Sequence, residues 1–146
     1  MVLFNNSYRM FQTAYKILID AFFRWFKIRT KPEVIQLPIT SKCNSRCLTC
    51  NVWSYKENVD IDSLTLKRVL SDSFFSKVKA VGLNGGELTL VEDIEAIFEA
   101  ITILPKLKYV HVISNGLLPE KLLPLLQHGK TFFNSKGISF NFTLSV

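Results

Sequence analysis

A chain of 146 residues, 48% hydrophobic and 21% charged, is long enough for one buried core and too apolar to be disordered. The net charge of +6 is concentrated at the start: residues 1–33 carry Arg9, Lys16, Arg24, Lys27, Arg29 and Lys31 against Asp20 and Glu33. The near-neutral remainder excludes a basic nucleic-acid groove through the body. With no uninterrupted apolar run of about 18 residues, a membrane-crossing helix is excluded as well. Arg24, Lys27 and Arg29 stand where a secretory cleavage site would fall. An odd count of thiols without an export signal makes the reducing cytosol the expected compartment.

In chain order, residues 7–28 predict a basic amphipathic helix. Tyr8, Phe11, Tyr15, Leu18, Phe22 and Trp25 recur at three- and four-residue steps on one face, and Arg9, Thr13, Lys16, Asp20, Arg24 and Lys27 on another. Such a helix covers part of a core, docks on a partner, or makes peripheral membrane contact at an anionic surface. Residues 1–33 are therefore set apart from a main body over 34–146.

That body opens with a strand, "VIQLPIT" at 34–40. Pro38 cannot donate a ladder hydrogen bond, so this strand belongs at a sheet edge. Asp62 is placed to cap a helix over 63–71, with Leu64, Leu66, Val69 and Leu70 as its apolar surface. A second strand runs over 77–84 into "GGE". Thr89 and Glu92 have the form of a capping box, opening a helix through Val91, Ile94, Ile97, Phe98, Ile101 and Leu104 that stops near Pro105. "YVHVIS" at 109–114 is a third strand, running into "NG". A helix over 119–127 follows, with Pro119 in its first turn, Pro124 as a kink and Gly129 as its C-cap. "ISFNFTLSV" at 138–146 alternates as a fourth strand.

Strand–helix repeats of this kind predict an α/β fold with a parallel sheet. In parallel sheets, sites gather at the C-terminal ends of strands. Three strands end in "CNSRCLTC", "NGGE" and "SNG", so these segments should meet on one rim.

All three cysteines, Cys43, Cys47 and Cys50, sit in the first of these segments. Three thiols do not make a disulfide framework, and structural zinc usually takes four ligands. Burial as small apolar side chains does not explain why all three cluster on a polar loop beside Lys42, Asn44, Ser45 and Arg46, where nearby cations favour thiolate. A zinc site would need His111, inside a strand, or His128, near the expected helix end, and neither has a local zinc-finger spacing. Iron–sulfur clusters are commonly held by four thiolates. Three thiolates on a four-iron cluster leave one iron open to a small molecule.

The ordered set "CNSRCLTC", "NGGE" and "SNG", each after a strand, resembles the radical S-adenosylmethionine enzymes over residues 34–146. The resemblance implies a partial (βα)6 barrel. It also implies a [4Fe-4S] cluster on Cys43, Cys47 and Cys50, with S-adenosyl-L-methionine chelating the fourth iron. Reductive cleavage would then give methionine and a 5′-deoxyadenosyl radical that abstracts hydrogen from a substrate of unknown identity. An external electron donor such as flavodoxin or ferredoxin is implied with it. Gly85, Gly86 and Glu87 match the segment that receives the methionine amino group. Ser114 and Asn115 match the hydroxyl–Asn–Gly at the third strand end, and Ser145 matches a residue facing the ribose or methionine carboxylate.

Two positions depart from the common pattern: Thr49 replaces an aromatic before the third cysteine, and Leu88 replaces a proline after "GGE". Trp53 and Tyr55 stand nearby as candidate shields for the cluster or adenine. With the chain ending inside the fourth strand, the expectation is the N-terminal part of a larger, truncated core, holding a cluster weakly and turning over little alone. Two other classes fit parts of the pattern. One is a non-catalytic metal domain using zinc or an electron-transfer cluster. The other is a membrane-surface module whose lower half is a decayed barrel.

Overall fold

The computed structural model describes residues 12–19, 21, 22, 25, 26, 30–55, 57 and 59–145. The chain divides into two units, Met1–Thr30 and Lys31–Val146. In the first, residues 12–19, 21, 22 and 25 are helical, within the predicted span. Tyr8, Arg9, Phe11, Asp20, Arg24 and Lys27 lie outside the described residues.

The second unit is built on four strands, β1 (Val34–Thr40), β2 (Ala80–Gly85), β3 (Tyr109–Ser114) and β4 (Ser139–Leu144). All pair in parallel in the order β1-β2-β3-β4. Three helices lie between them in sequence: α1 (Ser63–Leu70), α2 (Ile94–Ile101) and α3 (Pro119–Ser135). β1 lies at an edge, as Pro38 requires.

Strand alternation divides the sheet into two unlike faces. Ile39, Val81, Leu83, Val110 and Val112 point into a core shared with Leu66, Leu70, Ile97, Phe98, Ile101 and Phe133. Gln36, Asn84, His111, Asn141 and Thr143, on the other face, are exposed or half-buried. The core is rich in aromatics: Phe133 stacks on Phe140 at 5.5 Å between ring centres, and Phe98 meets Phe133 at 5.0 Å.

Asp62 caps α1 by accepting from the Thr65 N–H at 2.7 Å. Within α1, only Leu66 and Leu70 are buried, whereas Leu64 and Val69 face solvent. Two predicted boundaries are corrected. The capping box at Thr89 does not form, because Leu88–Leu90 makes a separate 3-10 turn and Asp93 caps α2 by accepting from the Ala96 N–H at 3.0 Å. Thr89 and Glu92 turn instead to partners in the site. α3 does not stop at 127; it continues through Pro124 and Gly129 to Ser135, and the left-handed residue beyond it is Gly137, at φ +71°. Leu122, Gly129 and Phe133 are buried along this helix, so tertiary packing carries it past two local breakers. Gly129 is needed for closeness, since a Cβ there would stand 2.7 Å from the Phe140 ring.

Candidate functional site

The cysteine loop leaves β1 and is tied shut at its foot. The Ile61 N–H donates to the Ile39 carbonyl and the Ser41 N–H to the Val59 carbonyl, both at 2.9 Å. Thr40 and Asp60 form an antiparallel bridge between these bonds. Side chains reinforce it: Thr40 Oγ1 donates to Asp60 Oδ1 at 2.6 Å, and Lys42 Nζ donates to Asp60 Oδ2 at 2.8 Å and to Glu92 Oε1 at 3.1 Å. Burial pushes the Asp60 carboxyl upward, but hydrogen bonds from Lys42 and Thr40 outweigh it and hold the group below its ordinary range.

β2 ends against this foot. The Gly86 N–H donates to the Thr40 carbonyl and the Glu87 N–H to the Lys42 carbonyl, each at 2.7 Å. Gly85 has φ +121°, and a Cβ on Gly86 would collide with the Lys42 carbonyl. The two glycines are thus required for the approach of the cysteine-loop backbone itself.

Glu87 is 1% exposed, and its carboxylate is fully engaged. Oε1 accepts from the Thr89 N–H at 3.1 Å, the Thr89 hydroxyl at 2.8 Å and the Ser114 hydroxyl at 2.7 Å. Oε2 accepts from the Asn115 N–H at 2.8 Å. Ser114 Oγ in turn accepts from the Gly116 N–H at 3.1 Å. Asn115 Oδ1 accepts from the Leu117 N–H at 3.0 Å, and its Nδ2 donates to Asn44 Oδ1 at 2.8 Å, inside the cysteine loop. The Ser145 N–H donates to the Ser114 carbonyl at 2.9 Å, carrying the chain of contacts to the end of β4.

The predicted convergence is therefore built from bonds. Glu87 joins the end of β2 to the end of β3, Asn115 joins β3 to the cysteine loop, and Lys42 joins that loop back to β2. Sequence reasoning missed Thr89, Asn44, Asp60 and Glu92. Asn44 lies inside the cysteine motif, Thr89 and Glu92 carry only the signature of a capping box, and Asp60 lies in no motif.

The thiols themselves are graded. Cys43 is half-buried beside the foot, whereas Cys47 and Cys50 are exposed on the crown of the loop. The Cys50 N–H donates to the Cys47 carbonyl at 3.2 Å, and Ser45 Oγ lies 3.3 Å from Cys47 Sγ. Among the described residues, no three of His, Cys, Asp or Glu stand close enough to ligate one ion. The two cations expected to favour thiolate have other partners: Lys42 pairs with Asp60 and Glu92, and Arg46 lies over the Trp53 ring at 5.5 Å. Tyr55 lines a mainly apolar cavity of about 410 Å³ with Val52, Val59, Ile61 and the ends of β1 and β2. His111 sits in β3 opposite Gly82 and Asn141, and His128 lies mid-α3, with Nε2 3.8 Å from Glu95.

The family model for the Radical SAM superfamily matches residues 37–141, from β1 into β4. The chain belongs to this superfamily. Its four-stranded parallel sheet is the corresponding partial barrel, and superfamily members use a [4Fe-4S] cluster and S-adenosylmethionine. Curated relatives include the molybdenum cofactor biosynthesis protein moc-5 of Caenorhabditis elegans, 32% identical over 97 residues, covering 64% of this chain and 16% of that protein. The GTP 3′,8-cyclase of Haemophilus influenzae is 33% identical over 103 residues, covering 68% of this chain and 29% of the relative. That of Clostridium perfringens is 28% identical over 102 residues, covering 66% and 32%. The chain thus spans at most about a third of the length of these relatives.

The donor set suits the radical SAM cluster. Three free cysteines on one loop offer soft sulfur ligands, with no carboxylate or imidazole between Cys43 and Cys50. Among the described residues, no helix is long and apolar enough to cross a membrane.

Proposed function

We propose that Cys43, Cys47 and Cys50 ligate a [4Fe-4S] cluster and that the loops after β2, β3 and β4 bind S-adenosylmethionine at its remaining iron. The observation that supports this most is the hydrogen-bonded rim. Glu87 and Asn115 link the "GGE", "SNG" and cysteine segments into one surface, and the thiols rise from its edge. Held by these three cysteines and reduced, the cluster would supply the one-electron chemistry that makes S-adenosylmethionine a source of a hydrogen-abstracting radical.

The chain's own share is to bind and orient. Gly85 and Gly86 bring a backbone segment up to the methionine amino group. Glu87 and Ser114 hold that segment and the end of β3 in register. Asn115 and Ser145 line the adenosine side. Turnover requires an external one-electron donor of the flavodoxin or ferredoxin type, and free thiols of this kind fit a reducing cytosol.

Anaerobic reconstitution with iron and sulfide tests the ligand assignment. The expected uptake approaches about four irons and about four sulfides per chain in the parent. Replacing any one of Cys43, Cys47 and Cys50 by serine should abolish the absorption of a four-iron cluster. A triple serine variant that still takes up the full complement would refute the assignment.

A further inference from the structure

We propose that Lys42 is a positioning residue for the first cluster thiolate, locking the foot of the cysteine loop before any metal arrives. The inference rests on the cluster reading and adds a task for a side chain that does not touch the cluster in that reading.

Lys42 is committed at all three of its polar groups. Its N–H donates to Thr40 Oγ1 at 3.0 Å, its carbonyl accepts from the Glu87 N–H at 2.7 Å, and its ammonium bridges Asp60 and Glu92. These partners come from four separate places: the end of β1, the end of β2, the segment returning from the cysteine loop, and the turn that precedes α2. Cys43 is the next residue, so its backbone inherits the position these bonds impose. Cys47 and Cys50, four and seven residues further on, are exposed and lack that anchoring.

The division has a physical purpose. A loop whose foot is already ordered loses less conformational entropy when its thiols close on a cluster. An open crown lets the other two sulfurs move into place. The Lys42 ammonium is engaged by two carboxylates, Asp60 and Glu92, rather than by the Cys43 thiol. Removing the lysine should therefore free the foot of the loop at Cys43.

Two measurements test this, one of them without metal. In the cluster-free chain, iodoacetamide alkylation followed residue by residue by mass spectrometry should find Cys43 slower than Cys47 and Cys50. Lys42→Met should accelerate Cys43 selectively by about 10-fold, as expected for loss of a local opening barrier of roughly one factor of ten in equilibrium constant. Loss of a nearby cation alone would slow the same reaction, so the direction separates positioning from electrostatics. Lys42→Arg should restore the slow rate.

In the reconstituted chain, Lys42→Met should release iron to a chelator about 10- to 100-fold faster, the range typical of lost outer-shell partners. Unchanged Cys43 alkylation in Lys42→Met would overturn the proposal, as would an acceleration shared equally by all three thiols. Should Lys42→Met fail to fold, Glu92→Gln cuts one exposed arm of the bridge, and a smaller acceleration confined to Cys43 is expected; none would count against the proposal. A parent chain that takes up no cluster defeats the cluster reading, while the alkylation arm still decides whether Lys42 locks the loop.

Discussion

Glu87 shows how much a single buried carboxylate organises here. It accepts four hydrogen bonds, and every donor is a backbone N–H or a hydroxyl from the end of β2 or of β3. Glu87→Gln keeps the shape but replaces one acceptor oxygen with an NH2 group facing those donors. The expected loss is about 1–3 kcal/mol, the usual cost of leaving buried polar groups mispaired, measured as a lower urea midpoint with unchanged slope. Asp60 gives a second prediction at this scale, with a definite sign. Its pKa is depressed from 3.8, so its contribution is complete above that ordinary value and is lost as pH falls through the lower, folded one. Unfolding midpoints should therefore hold steady from about pH 5 to 8 and drop below about pH 4, and Asp60→Asn should flatten part of that drop.

The elements were legible where a residue has one strong local meaning. Asp62 caps α1, and Pro38 marks an edge strand, because no distant partner competes for either role. They were misread where a residue has a partner far along the chain. Thr89 and Glu92 look like a capping box, yet the glutamate bonds Lys42, 50 residues away, and the threonine bonds Glu87, whose carboxylate is itself tied to Ser114 and Asn115 at the end of β3. Pro124 and Gly129 look like helix breakers, yet burial against β4 carries α3 through both. The site followed the same division: the three rim segments were visible as motifs, whereas Asp60 carries no signature apart from the bridge it makes with Thr40. Gly129→Ala sets the two influences against each other. Alanine favours a helix by about 1 kcal/mol, but its methyl would press on a Phe140 ring already packed between Phe98 and Phe133. Overpacking costs typically about 1–3 kcal/mol, so thermal denaturation should show net destabilisation.

At the scale of the whole molecule, the Lys31–Val146 unit is a rim carried on a core. The helical side of the sheet is apolar and filled. The C-terminal ends of the strands hold polar groups that are matched to one another: among the described residues, no buried side-chain nitrogen or oxygen lacks a partner. In the proposed reading, this hydrogen-bonded rim is the base on which the three-cysteine donor set would hold its cluster. The relatives are all at least about three times longer than the region they share with this chain, so the substrate chemistry of the whole protein is a separate question from cofactor binding at this rim.

The most direct test of that central claim is low-temperature electron paramagnetic resonance of the anaerobically reconstituted, dithionite-reduced chain, recorded with and without S-adenosylmethionine. A reduced four-iron signal whose g-values and line shape change on adding the sulfonium compound is the predicted result, because an iron without a protein ligand accepts it. A signal identical in both samples would contradict the account, as a cluster fully ligated by side chains would give.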